Sequence, residues 1–361
     1  SEGLLFWRSF SHWIGGMGIL VFVIAIMPKT ESSSMHIMRA EVPGPTVGKL
    51  VSKLRATARI LYGIYCVFTA LEIILLFAGG MPLFDSIVNA FATAGTGGFG
   101  ILNNSIEGYN SVYAEMVIAV FMLLFGVNFN LYYMILIKQG KQALKSEELR
   151  WYFGIVGASV IIIMLSLLST KHNLFDSFRY SFFQVASIIT TTGFSTTNFD
   201  TWPVIAKLVL GFLMIVGASA GSTGGGIKVS RLIILIKSGL RDIKKAINPR
   251  SIETVKVDRR TVDEPVVKSV SVFFATYMVI AAISMLIVAL DGRDIVTTVT
   301  SVFACIGNIG PGLGAVGPYG NYADFSILSK LILSFNMLAG RLELIPMLML
   351  FSPYAWARKY S

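Results

Sequence analysis

The chain has 361 residues, 54% of them hydrophobic and only 14% charged, and its mean hydropathy is +0.70. That balance excludes an ordinary soluble domain, and the length suffices for several membrane spans of roughly 20 residues each. The net charge of +10 could suggest nucleic acid, but most of the 30 Lys and Arg residues fall in 29–59, 138–150, 228–268 and 358–359, between apolar runs, where they read as membrane-flanking charge.

Residues 4–27 form the first predicted span, in which Gly15, Gly16 and Gly18 allow close helix contact. It reads as the second half of a unit whose first half lies upstream of Ser1. A basic connector over 28–56 follows, with Pro43, Gly44 and Pro45. The next span, 57–79, leads into a helix from Pro82 to Thr93 that is too short to cross. That helix runs into the break Ala94-Gly95-Thr96-Gly97-Gly98-Phe99, after which a span over 112–137 returns the chain. The second unit has a span at 151–169, a short helix at 174–189, the break Thr190-Thr191-Thr192-Gly193-Phe194 and a return over 203–238. The third has a span at 266–290, a short helix at 292–305, a break over 306–320 that includes Gly307-Asn308-Ile309-Gly310-Pro311-Gly312, and a return over 326–351. The predicted organisation is therefore a partial repeat with connector (1–56) and three complete repeats (57–149, 150–262 and 263–361). The fold class is an all-α membrane protein built of span, pore helix, filter loop and span around a central pore.

Glycine-rich, non-helical backbone is tolerated at membrane depth only where protein or a water-filled cavity satisfies its polar groups. A single break of this kind is most simply a tight turn. Three in the same position behind three half-length helices point to a shared pathway. A dehydrated cation needs carbonyl oxygens in place of its water shell; glycine permits the positive φ that turns them, and threonine adds a hydroxyl. The ion-binding candidates are Thr96, Gly97, Gly98, Thr191, Thr192, Gly193, Asn308, Ile309 and Gly310. Asp85, Glu107, Asp176, Asp200, Asp291 and Asp324 lie near the breaks, so the positive-inside rule places the breaks outside and the basic loops in the cytoplasm.

The run 203–238 is too long for one straight span, and the stretch 217–226 should interrupt it, with helix resuming near Ile227. Close GxxxG packing and a mobile gate both fit this stretch; the adjacent Lys228 favours the gate, with Gly221, Gly224, Gly225 and Gly226 as its flexible residues. Arg341, midway along the last span, carries a charge that costs ~2.5–3.5 kcal/mol to insert there and therefore needs a cavity or partner. Glu343 lies about 200° away around the helix, so Arg341 reads as a barrier or latch held by carbonyls of 217–226. Glu72 reads first as snorkelling to the outer interface and second as a hydrogen bond that supports the filter, Asn128 and Asn130 as ties between helices ahead of cavity lining, and Phe6, Trp7, Tyr132 and Tyr133 as interface belts. Cys66 and Cys305 sit in apolar surroundings with no sign of pairing. The three histidines lack ligand spacing, and there is no phosphate-binding glycine motif, so no nucleotide is expected on this chain.

These motifs resemble the Trk/Ktr/HKT superfamily of potassium-uptake proteins, closest to the bacterial TrkH type. The most specific segments are Leu5 to Phe10 running into Trp13-Ile14-Gly15-Gly16-Met17-Gly18, the breaks at 96–99 and 191–194, Ala220-Gly221-Ser222-Thr223 with Gly225-Gly226-Ile227-Lys228, Asn308 to Gly312, and Gly340-Arg341-Leu342-Glu343-Leu344. The resemblance implies four units around one pore, making Gly98, Gly193 and Gly310 the second to fourth filter glycines, with the first upstream of Ser1. It implies K+ as the transported ion, an intramembrane gate at 217–228 and Arg341 below the filter. It also implies a homodimer in the bacterial plasma membrane, docked on a cytoplasmic ring of nucleotide-binding subunits of TrkA or KtrA kind, with any nucleotide on that ring. The rival reading is a secondary transporter coupling K+ to H+ or Na+ by alternating access. An enzyme has no support, because no nucleophile–base or metal constellation occurs.

Overall fold

The apolar runs fold as helices because inside a bilayer every backbone polar group must find a partner within its own segment. The computed structural model describes residues 1–18, 54–170, 173–250, 253–342 and 344–350. Most of the connector at 28–56, the end of the first predicted span and Glu343 lie outside these residues. In chain order the helices are α1 (Glu2–Gly16), α2 (Leu54–Ala78), α3 (Leu83–Ala94), α4 (Val112–Phe125), α5 (Phe129–Leu136) and α6 (Gly140–Leu144). They continue as α7 (Glu147–Leu168), α8 (Leu174–Ile189), α9 (Val204–Val216), α10 (Val229–Ile247), α11 (Glu264–Val288), α12 (Ile295–Ile306), α13 (Ile327–Arg341) and α14 (Leu344–Leu350). A two-stranded antiparallel hairpin, β1 (Lys256–Val257) with β2 (Arg260–Thr261), precedes α11.

Among the described residues, α2, α7 and α11 each contain a stretch long and apolar enough to cross a membrane, and α4 with α5 adds a fourth if the bent pair is one span. Val67, Leu71 and Ile74 on α2, and Val279, Ile283 and Leu286 on α11, form exposed apolar stripes at i, i+4 and i+7. Such faces suit contact with lipid. The half-length helices α3, α8 and α12 have 12, 16 and 12 residues. At 1.5 Å per residue they reach about 18–24 Å, short of the ~30 Å hydrocarbon core. They are packed inside the bundle: α3 against α1 and α2, α8 against α7 and α4, and α12 against α11 and α13. Several of their buried hydroxyls turn back on their own helix, as in Thr93 to the Asn89 carbonyl (2.9 Å) and Thr300 to the Val296 carbonyl (2.7 Å).

The return span expected over 326–351 is interrupted, with α13 ending at Arg341 and α14 starting at Leu344, so Arg341 closes a helix rather than standing midway along one. Four more expectations change. The return span 112–137 is two helices meeting at 87°. The break falls at Gly126, where a Cβ would lie 2.4 Å from the Tyr152 hydroxyl, and Asn128 caps α5 by accepting the Asn130 N–H at 3.0 Å. Glu72 does not snorkel: it is fully buried on the inner face of α2 and faces Thr93 of α3. Tyr132 is not part of a belt. Its hydroxyl donates to the Leu124 carbonyl at 2.7 Å and its ring stands edge-on to Phe68, so it packs inside the α4–α5 corner. The hairpin is the fourth change, because no strand is expected from the sequence. Its tip residues Asp258 and Arg259 have φ of +50° and +63°, the pattern of a tight hairpin turn. The break between α9 and α10 falls where the glycine-rich stretch placed it.

Two helical glycines test the packing. A Cβ on Gly340 of α13 would lie 1.9 Å from the Ile306 carbonyl oxygen, whereas one on Gly157 of α7 meets nothing within 4 Å. Gly340→Ala is expected to destabilise by about 1–3 kcal/mol through forced separation of α13 from α12. Gly157→Ala is expected to stabilise by about 0.5–1 kcal/mol through helix propensity. Thermal unfolding in detergent should show the two melting temperatures moving in opposite directions.

Candidate functional site

Each half-length helix ends in a short turn that runs into a strip of irregular backbone, and the three strips share one geometry. In each, the first residue and the glycine two positions later have positive φ: Thr96 and Gly98 (+55° and +63°), Thr191 and Gly193 (+59° and +85°), Asn308 and Gly310 (+57° and +101°). The intervening N–H turns back onto the half-helix. Gly97 donates to the Ala92 carbonyl at 2.8 Å, Thr192 to Ser187 at 2.9 Å and Ile309 to Ala304 at 2.8 Å. With the amides tied behind the strip, the path of the backbone is anchored to the helix end.

The strips stand beside one another in chain order. A Cβ on Gly98 would lie 2.1 Å from the Thr192 carbonyl oxygen, and one on Gly193 would lie 2.0 Å from the Ile309 carbonyl oxygen. Glycine is required at both places by the close approach as well as by positive φ. A Cβ on Gly310 would meet nothing within 4 Å among the described residues. All three glycines line a cavity of about 270 Å³, with Ser105, Ser195 and Tyr322 among its other walls. The Tyr322 hydroxyl donates to the Gly310 carbonyl at 2.9 Å. At the start of α12, hydrogen bonds from Ser326 hold the Asp291 carboxyl below the usual carboxylate range, and bonds from Thr297 do the same for Asp294. Both are therefore anionic at neutral pH.

Behind the strips lies the loop between α9 and α10. A Cβ on Gly224 would be 2.9 Å from the Thr190 carbonyl oxygen, and one on Gly225 would be 2.5 Å from that of Gly307, so the loop crosses the ends of α8 and α12. Gly225 donates its N–H to Thr191 Oγ1 at 2.6 Å, and Thr96 Oγ1 lies 2.9 Å from the Thr223 carbonyl. The threonine hydroxyls expected to face an ion instead hold the loop, because positive φ carries these side chains to the back of the strip. Thr192 likewise turns its hydroxyl to that of Thr190, at 2.9 Å. Gly221 accepts the Phe129 N–H at 3.0 Å, Gly226 has a φ of +77°, and Lys228, 1% exposed, donates to the Gly224 carbonyl. Arg341 spans two elements: Nη1 donates to the Thr223 carbonyl at 3.0 Å and Nη2 to the Gly15 carbonyl at 3.1 Å.

The structure thus brings together the residues singled out at 96–98, 191–193, 308–310 and 221–228 with Arg341. Several contributors were not foreseen. Arg8 of α1 donates to the Gly100 carbonyl at 2.9 Å and lies over the Phe99 ring, and His12 Nε2 is 2.9 Å from the Gly95 carbonyl. Both brace the strip at 95–100. Their i, i+4 spacing on one face of α1 was the available signal. Glu148, which accepts the Ala220 N–H at 2.7 Å, carried no signal beyond being an acid at a helix start.

A family model described as cation transport protein, TrkH, matches residues 1–358. The chain is 35% identical to the Trk system potassium uptake protein TrkH of Salmonella typhimurium and 36% identical to that of Escherichia coli; each match covers 98% of this chain and 74% of the relative. The crystal structure of the potassium transporter TrkH from Vibrio parahaemolyticus is similar with a TM-score of 0.84 at 32% identity, covering 98% of this chain and 73% of that one. Matches of that extent, on a chain whose glycine strips and loop lie together, identify it: this protein belongs to the TrkH family of cation transport proteins.

Proposed function

We infer that this protein takes up potassium ions across a bacterial membrane, along a pathway lined by the three glycine strips. The repeated strip geometry carries the reading, since Gly98 and Gly193 each pack on a carbonyl oxygen of the next strip. Potassium loses water at these oxygens, and the half-helix C-termini favour a cation at the same depth. The vestibule faces outside, and the basic segments with Lys138, Lys141, Lys145, Lys244 and Lys245 face the cytoplasm by the positive-inside rule. The open side of Gly310 would take a fourth strip. The homodimer and the nucleotide-binding cytoplasmic ring belong to the same proposal and are supported by the family resemblance.

The loop 217–228 is the gate in this reading. It lies across the ends of two half-helices, and Arg341 holds its Thr223 carbonyl while placing a positive charge on the path. Uptake at fixed voltage tests the function itself: current down a potassium gradient without added sodium or a proton gradient is the expected result, and an absolute need for either ion would favour the coupled carrier.

Gly193→Ser tests the filter. A side chain there collides with the Ile309 carbonyl and needs positive φ, so discrimination between potassium and sodium should fall; an unchanged permeability ratio would remove Gly193 from the filter.

Arg341→Ala tests the latch. It should raise potassium flux without changing selectivity, and Arg341→Lys should keep part of the barrier because charge survives while the fork that bridges Thr223 and Gly15 is lost. An alanine variant that fails to fold beside a normal lysine variant would mean a purely structural arginine.

A further inference from the structure

Most partners of the loop 217–228 are backbone groups or hydroxyls, but one carboxylate also reaches it. Glu148 stands in the first turn of α7, 9% exposed, and its Oε1 accepts the Ala220 N–H at 2.7 Å; Ala220 is itself buried. Asn128 at the α4–α5 break, Ser230 at the start of α10 and Lys228 all lie close enough to act on the same carboxylate. Glu148 therefore meets three interrupted pieces of backbone at one point.

The residue before it faces the hairpin. Lys237 of α10 pairs with Glu147 Oε1 at 2.5 Å and donates to the Lys256 carbonyl at 2.7 Å. At the hairpin tip, Asp258 Oδ1 accepts the Glu147 N–H at 2.6 Å, and the Asp258 N–H donates to Glu147 Oε2 at 3.3 Å. Asp258 is exposed. The first turn of α7 is thus gripped from one side by the hairpin tip and from the other by the loop.

The geometry points to Glu148 as the positioning residue that holds the loop 217–228 in place beneath the filter, with the hairpin tip at Asp258 as the lever that reaches it through Glu147. This rests on the gate reading above. Adjacent residues in a helix move with the turn that carries them, so displacement of the hairpin shifts the Glu148 carboxylate as well. A charge-assisted bond to a buried N–H weakens with that shift, and the unpaired Ala220 amide then favours a rearranged loop. A partner that engages the hairpin on this side of the protein could thus act on the gate without touching it.

The experiment is rubidium uptake into liposomes holding the complete protein, without any regulatory partner, under a potassium gradient. Glu148→Ala should raise basal flux roughly tenfold, the scale of one lost hydrogen bond to a charged group. Glu148→Gln should raise it less, because the amide oxygen still accepts from Ala220. The potassium-to-sodium ratio should stay at the parent value in both, which a collapsed pore would not allow. Asp258→Ala should raise flux in the parent and add nothing in the Glu148→Ala background. If Glu148→Ala does not fold, Glu148→Gln carries the same comparison, alone and with Asp258→Ala. Parent-level flux in the Glu148 variants beside raised flux in Arg341→Ala would overturn the clamp and leave the gate standing. Parent-level flux in the Glu148 variants and Arg341→Ala together would remove the gate as well. Full additivity between Asp258→Ala and Glu148→Ala would disconnect the hairpin from the clamp.

Discussion

Backbone N–H groups in the middle of a bilayer have no water to bond, and the three strips answer this constraint in the same way. Each strip folds its central amide back five residues, onto a carbonyl near the end of its own half-helix. That bond needs positive φ on either side of it, which limits the glycine position and turns the threonine side chains towards the loop 217–228. Once the amides are tied behind, the strips can stand close enough for a glycine Cα to pack on the next strip's carbonyl. The shared vestibule, the vulnerability to any side chain at Gly98 or Gly193, and the packing of the half-helices inside the bundle all follow from this arrangement.

The same constraint explains why the loop 217–228 is coupled to the strips. Its glycines leave many polar groups with no helix to satisfy them, so partners come from whatever surrounds the loop. Thr191 accepts from Gly225, Thr96 reaches the Thr223 carbonyl, and the α4–α5 break takes the Gly221 carbonyl. Arg341 adds a charged donor to Thr223 and ties it to Gly15 of α1. The loop is therefore bonded to the residues that shape the strips. Rearranging it costs hydrogen bonds at Thr96 and Thr191 as well as its own. None of its backbone bonds is strong alone, each contributing about 0.5–1.5 kcal/mol net, so a modest bias at one anchor can change which arrangement is favoured.

Much of this was legible in the chain, and the reasons differ by element. The half-helices were visible because their apolar runs are shorter than a bilayer and stop at Thr/Gly clusters. The interruption at 217–226 was visible because so many glycines cannot sustain a helix. Arg341 stood out because a charge at that depth needs a partner. The corner at Gly126 was hidden, since one glycine followed by Val127 and Asn128 lies within an otherwise unbroken apolar run. The burial of Glu72 was hidden too: its distance from the helix end suggested escape to the interface, while its side of the helix, set by packing against α3, decided otherwise.

Sequence by itself determined the membrane class, the number and order of the half-helices, and which residues could adopt the strip conformation, because these depend on local length, hydropathy and allowed φ. Tertiary structure decided where the polar groups of those segments find partners. Only in three dimensions does Thr191 turn its hydroxyl to Gly225, Arg8 and His12 of α1 brace the strip at 95–100, and Glu148 meet Ala220. Hydrogen-bond partners that lie tens of residues apart leave no periodicity in a sequence, and an acid at a helix start reads the same whether it faces water or a buried amide.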